Sequence, residues 1–224
     1  MVKTSPFLVN SSSMRIGILG GTFNPPHVGH LRLAEEVACF QGLDRIVFVP
    51  SSISPHKGVT GIARAEDRLE MTRRACQDNP VFQVSDIELT FRSPSYTVNT
   101  LEFFIKTENC GIFFILGTDS LRDISAWKDY ERLFCLANFI VVNRPGISFR
   151  EAWEEAPVAL RHKFQVKDKE LLHTSATRLI PTDITGLDIS ATKIRNLVKS
   201  GRSIRYLVPE PVRSYILEKE LYSR

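Results

Sequence analysis

The run Gly20-Gly21-Thr22-Phe23-Asn24-Pro25-Pro26-His27-Val28-Gly29-His30 sets two imidazoles three positions apart behind paired glycines and paired prolines. Glycine lets a backbone approach a ligand closely, and proline stiffens the chain that carries it. A helix starting here would turn unpaired N–H groups and the positive end of its dipole toward the loop, an arrangement suited to phosphate. If helical geometry has begun by His27, then His27 and His30 share a face and can both donate to one anion. The loop has neither the third glycine of Gly-x-Gly-x-x-Gly nor a Gly-Lys-Ser/Thr ending, which counts against nicotinamide-dependent hydride transfer and against P-loop chemistry. A second run, Ile189-Ser190-Ala191-Thr192-Lys193-Ile194-Arg195, supplies a capping Ser190 and puts the Thr192 hydroxyl and the Arg195 guanidinium on one helix face. Alone it reads equally well as an ordinary capped helix with a solvated arginine. Beside the histidine pair it reads as a clamp for a nucleotide triphosphate.

Elements able to hold such loops are visible in the hydrophobic pattern. Residues 15–20, 44–50, 111–117 and 138–143 are continuous apolar runs closed by Gly, Pro or Asn, as expected of strands buried on both faces. Between them, 30–41, 65–79 and 97–109 carry apolar residues at helical spacing. Residues 81–91 alternate and are expected to add a strand, 149–163 to form a charged surface helix, and 189–200 and 211–221 to form two helices near the end. The order implies a Rossmann-like α/β fold, doubly wound around a mainly parallel sheet, with a small C-terminal helical subdomain. The expected organisation is a disordered leader at 1–13 with Met14 an alternative start, a core at 14–185, and the helical subdomain at 186–224. Ligands of such sheets bind beyond the carboxyl ends of the strands. Asp119, directly after the third apolar run, therefore reads either as an acceptor for ribose hydroxyls or a magnesium-bound water, or as an N-cap for the Leu121 segment. His162 and His173 have no motif context and are expected at the surface.

Composition sets outer bounds. The chain has 224 residues, 43% hydrophobic and 24% charged, which excludes disorder, collagen and disulfide miniproteins. A net charge of +4, with the basic residues scattered, is a weak footprint for nucleic acid, so none is expected as a partner. Cys39, Cys76, Cys110 and Cys135 form no Cys-x-x-Cys pair and read as four reduced, packed thiols of a cytoplasmic protein. No protein-ligated metal site is expected. The most apolar stretch, 133–142, falls far short of the roughly 20 residues that span a bilayer, so no membrane association is expected. Oligomeric state is left open between monomer and homo-oligomer.

The two motifs resemble the signatures of the nucleotidyltransferase superfamily, Gly-x-Phe-x-Pro-x-His-x-Gly-His and Ile-Ser-x-Thr-x-Ile-Arg. Three further segments, Pro50–Lys57, Ser95–Leu101 and Phe114–Leu121 with Trp127, resemble the bacterial nicotinate-nucleotide adenylyltransferases, and with Arg144-Pro145-Gly146 and Tyr206–Glu210 the likeness spans residue 15 to about 222. Departures from that family's usual pattern are Asn24 and Asn99 where Asp is common, Ser54 for Pro, and Ala191 for Ser. The resemblance implies adenylyl transfer from ATP to nicotinate mononucleotide, with magnesium bound mainly through ATP and pyrophosphate. It implies His27, His30, Lys57 and Arg195 as catalytic residues. ATP would be held by Gly20, Gly21, Thr22, Phe23, His27, His30, Ile189, Ser190, Thr192 and Arg195. Nicotinate mononucleotide would be held by Lys57, Tyr96, Thr97, Asp119, Trp127 and Arg144. On the residues alone, Lys57 reads also as a solvent-facing lysine, and Trp127 as a stacking face for the pyridine ring or as a core residue. Because no Ser-His-Asp or Cys-His constellation is apparent, the expected route is direct in-line attack without a covalent intermediate. The alternatives are another member of the superfamily, such as a pantetheine-phosphate adenylyltransferase or a cytidylyltransferase, and a nucleotide-binding module without catalysis.

Overall fold

The computed structural model describes residues 14–52, 61–91, 95–143 and 146–223. Its strands form one mixed, mostly parallel sheet in the order β3-β2-β1-β4-β5-β8-β7-β6, where β1 is Arg15–Gly21, β2 Arg45–Pro50, β3 Phe82–Val84, β4 Gly111–Gly117, β5 Asn138–Val142, β6 Phe164–Lys167, β7 Glu170–His173 and β8 Arg178–Thr182. The pairs β2/β3, β4/β5 and β5/β8 are parallel, whereas β6/β7 and β7/β8 are antiparallel. β4 is buried at every residue and β2 at all but the first, as their unbroken apolar runs require. The helices are α1 Val28–Gln41, α2 Ala65–Cys76, α3 Ile87–Thr90, α4 Thr97–Thr107, α5 Thr118–Arg122, α6 Tyr130–Leu136, α7 Phe149–Glu155, α8 Val158–Arg161, α9 Ala191–Lys199 and α10 Glu210–Glu218, with a 3-10 turn at Ile124–Ala126. No helix among the described residues is long and apolar enough to cross a membrane.

The chain divides into two compact units. One takes in residues up to Ile18, Gln41–Asp44 and Tyr96–Ile184; the other takes in Leu19–Phe40, Arg45–Ser95 and Thr185 onward. The terminal helices α9 and α10 belong to the second unit, where Ile194, Ile204, Val208, Val212, Tyr215 and Ile216 form a core with Met71 of α2.

Three local expectations are corrected. The strand expected over 81–91 lasts three residues and gives way to α3, because Ser85 and Asp86 interrupt the alternation and the amide of Ser85 makes the last bond to Phe48. The surface helix expected over 149–163 is split into α7 and α8 by Pro157, which lacks an N–H and holds Ala156 extended. Two of the four thiols expected to be packed, Cys39 and Cys135, are exposed.

His173 is also corrected, since it is 3% exposed rather than on the surface. Its Nδ1 accepts from the amide of Ser175 at 3.1 Å and lies 2.6 Å from the Ser175 hydroxyl, which assigns the ring proton to Nε2. The Phe164 ring packs edge-on against it at 4.7 Å. Burial, and secondarily the Lys163 charge, push its pKa below the ordinary histidine value. An unfolded histidine titrates near 6.5. Between that value and the lower folded one, the unfolded chain binds a proton that the folded chain does not, so stability falls as pH drops through this window. Denaturant unfolding measured at a series of pH values should show this loss, and a His173→Gln variant should show a shallower one.

Candidate functional site

The loop that leaves β1 is shaped by two missing side chains. A Cβ on Gly21 would lie 3.1 Å from the Phe23 ring, and one on Gly29 would lie 3.1 Å from Nδ1 of His27. Both rings occupy the space that the glycines leave open. Phe23 sits at φ +46°, a left-handed conformation uncommon for an aromatic residue, and its ring packs against Phe48 at 5.7 Å and edge-on against His30 at 5.1 Å. His27 precedes α1 instead of lying within it, yet its imidazole stacks on that of His30 with centroids 3.7 Å apart and planes 26° apart. The amide of His27 donates to Nδ1 of His30 at 3.2 Å, while the carbonyl of His27 accepts from the amide of His30. His30 thus takes the part that a glutamate plays at the third position of a capping box. With Nδ1 committed as an acceptor, the neutral ring carries its hydrogen on Nε2 and can donate there.

The second motif folds as its spacing indicates. Ser190 caps α9 by accepting from the amide of Lys193, and Arg195 donates to the Thr192 hydroxyl at 3.2 Å. Arg195 also donates to the carbonyl of Asn24 at 2.9 Å, which ties α9 to the histidine loop. The side chain of Ile189 lies 3.9 Å from where a Cβ on Gly29 would stand. Gly20 is exposed and Thr22 partly so. Hence Gly21, Thr22, Phe23, His27, His30, Ile189, Ser190, Thr192 and Arg195 come together in one unit.

Tyr96, Thr97, Asp119 and Trp127 belong to the other unit. Tyr96 is the N-cap of α4, so Thr97 opens that helix with its amide ends unpaired within it. The ammonium of Lys128 lies 4.7 Å from the Tyr96 ring centroid. Trp127 is half-buried and meets Phe114 edge-on at 6.1 Å, which is neither a fully buried core position nor a free one. Gly117, not Asp119, is the N-cap of α5, so the capping reading of Asp119 does not hold. Lys57 and Arg144, like Ser54, lie outside the described residues. Among the described residues no group of three or more His, Cys, Asp or Glu side chains is placed to hold a metal ion.

Several residues that hold the histidine loop were not assigned a role there from the sequence. Asn24, 4% exposed, donates from its amide to the carbonyl of Gly61 and accepts at Oδ1 from the amide of Ala63 and the hydroxyl of Tyr222. Arg68, on α2, reaches the carbonyl of Thr22. Glu36 accepts from the amide of Thr185 at 2.6 Å and from Arg32, and hydrogen bonding by Thr185, with a smaller part from Arg32, holds its carboxyl below the usual range. None is adjacent in sequence to the segment it fastens, so no local pattern marks it.

A model of the cytidylyltransferase-like family matches residues 18–197. Over 212 residues the chain is 46% identical to a probable nicotinate-nucleotide adenylyltransferase of Citrifermentans bemidjiense, covering 93% of this chain and 98% of that one. It is 44% identical over 214 residues to the counterpart from Geobacter sulfurreducens, with 94% and 99% covered. The chain belongs to the nicotinate-nucleotide adenylyltransferase family. In fold it is similar to a Plasmodium falciparum nicotinic acid mononucleotide adenylyltransferase complexed with NaAD, with a TM-score of 0.70 at 18% identity over 94% of this chain and 98% of that one. Of the departures from this family's usual pattern, Asn24 has a structural account. Its amide donates to Gly61, which an aspartate could not do.

Gly29 separates two effects that usually run together. Replacing glycine by alanine inside a helix stabilises it by about 0.5–1 kcal/mol, but here the new methyl would press on His27. Gly29→Ala should therefore leave the melting temperature unchanged or slightly raised while lowering turnover at least tenfold, which paired thermal and kinetic measurements will check.

Proposed function

We propose that this chain joins the adenylyl group of ATP to nicotinate mononucleotide, releasing pyrophosphate and forming deamido-NAD, with His27 and His30 donating to the phosphates. The observation that carries the residue assignment is the stacked histidine pair, with Nδ1 of His30 accepting from a backbone amide, which fixes the ring's orientation and tautomer. The names of the curated relatives support the reaction, as do the P. falciparum structures, one complexed with NaAD and another with APC.

A phosphate oxygen of the acceptor attacks the α-phosphorus in line; the bond to the β-phosphate oxygen breaks, and its electron pair leaves with pyrophosphate. A phosphate monoester is largely ionised at pH 7, its second pKa being about 6, so no general base is required. Acceleration then comes from positioning and from donors aimed at developing charge. Thr192 and Arg195 hold the nucleotide's phosphates, and Lys57 supplies a further cation to them; Gly20, Gly21 and Thr22 let the backbone approach; and Phe23, Ile189 and Ser190 shape the loop and helix start. Magnesium enters as part of the nucleotide substrate and neutralises charge on the leaving pyrophosphate. Asp119 and Arg144 serve the rest of the acceptor. Nicotinate is favoured over nicotinamide by the N-terminus of α4 at Thr97 and the Lys128 cation beside Tyr96, since both prefer a carboxylate, with Trp127 as the stacking face.

Pyrophosphate release from magnesium ATP should require nicotinate mononucleotide and should not occur with phosphopantetheine; with CTP in place of ATP it should be much slower, a comparison that the breadth of the family model makes worthwhile. His30→Ala should lower kcat by about 10²–10³-fold; near-normal turnover would refute the assignment. The kcat/KM for nicotinate mononucleotide should exceed that for the amide by about 10⁴-fold. Equal values would remove the deamido specificity while leaving adenylyl transfer intact.

A further inference from the structure

Arg68 is a buried cation for which the proposed reaction has no task. The side chain is 2% exposed, and its guanidinium donates to three main-chain carbonyls: Nε to Ala63 at 3.1 Å, Nη1 to Thr22 at 2.8 Å and Nη2 to Ser52 at 2.8 Å. Among the described residues no carboxylate forms an ion pair with it, and burial pulls its pKa down, a shift that Glu66 and Glu88 nearby oppose. Burying a charge costs several kcal/mol, and an apolar side chain of similar length would fill the same volume more favourably. What an apolar residue cannot do is bind three carbonyls at once, and lysine lacks the planar fork that fits them together. The three carbonyls come from three segments: the turn directly after β1, the start of the loop after β2, and the residue pair that leads into α2.

The Thr22 contact reaches furthest. A trans peptide points its N–H opposite its C=O, so drawing the Thr22 carbonyl toward Arg68 turns the amide of Phe23 away from it. The same peptide plane sets the entry to Phe23 at φ +46°, whose ring packs on His30. Ala63 couples this clamp to Asn24, since its carbonyl accepts from Arg68 while its amide donates to Asn24 Oδ1. Asn24 in turn accepts from Arg195 through its own carbonyl.

We propose that Arg68 is a positioning residue for the nucleotide: its three-carbonyl fork fixes the Gly20–Phe23 turn and, through Phe23, the orientation of His30. This rests on the reading that the turn receives ATP. The test is equilibrium binding of α,β-methylene-ATP, together with steady-state kinetics, for the wild-type chain, Arg68→Lys and Arg68→Met. Arg73→Ala, an exposed change on the same helix, is the control. Arg68→Lys keeps the charge and loses the fork. It should melt cooperatively, bind the analogue about 10- to 10²-fold more weakly, and raise KM for ATP in parallel, while KM for the acceptor stays within about twofold. Arg68→Met should be at least as impaired, and Arg73→Ala should match wild type. A purely structural role would lower the melting temperature and leave binding and KM unchanged well below it; that result, or lysine working as well as arginine, overturns the proposal. So does failure of both Arg68 variants to fold, since the residue would then serve the fold itself. If wild type does not bind the analogue, the nucleotide reading falls and this inference with it. Normal wild-type binding with unaffected variants refutes this inference alone.

Discussion

The rings of Phe23 and His27 pack so closely on Gly21 and Gly29 that a Cβ on either glycine would stand 3.1 Å from them, and the rest of the histidine loop follows from that close approach. Phe23 fills the gap over Gly21 only by taking a left-handed backbone conformation, a strain of roughly 1–3 kcal/mol that its contacts with Phe48 and His30 must offset. His27 fills the gap over Gly29 and stacks on His30. A histidine is commonly oriented by a carboxylate; for His30 the backbone amide of His27 takes that part, and His27 is held by stacking on the ring so oriented.

Such a loop needs support from behind, and much of it comes from the far end of the chain. The amide of Val28 donates to Leu207, Tyr222 donates to Asn24, and Thr185 donates to Glu36. Helix α9 has nine residues and would be marginal by itself in water. It is held by Ile194, fully buried in the cluster with Met71, Val212 and Ile216, each such side chain contributing about 1.5–3 kcal/mol. That packing is what lets Arg195 meet Thr192 and the Asn24 carbonyl together.

The other unit is built on different means. β4 and β5 are apolar throughout their inner residues, and Phe134, Phe139 and Phe164 pack in a chain that reaches His173. The N-terminus of α4 and the Lys128 ammonium over the Tyr96 ring both bring positive charge to this corner. The proposed preference for nicotinate rests on this corner, because a carboxylate and an amide differ in charge and in hydrogen-bond direction, not in shape.

Local physics made much of this legible before folding was considered. Continuous apolar runs identified β1, β2, β4 and β5, because strands buried on both faces have no other way to appear in sequence. Ser190 as a cap, and Thr192 beside Arg195, follow from helical spacing alone, and the stacked histidines lie close to their expected arrangement. The hairpin β6–β7 and strand β8 passed unseen: the turn Asp168-Lys169 lacks the usual Asn-Gly signal, and Pro181 sits inside β8. Arg68, Asn24 and Tyr222 could not be assigned from spacing, since Arg68 and Thr22 are 46 residues apart and Asn24 and Tyr222 are 198 apart. The sequence determined the local form of the two motifs, because capping, helical spacing and glycine's freedom act within a few residues. Only the tertiary structure decided what fixes them in place, because a buried guanidinium or amide takes whichever carbonyls folding brings to it.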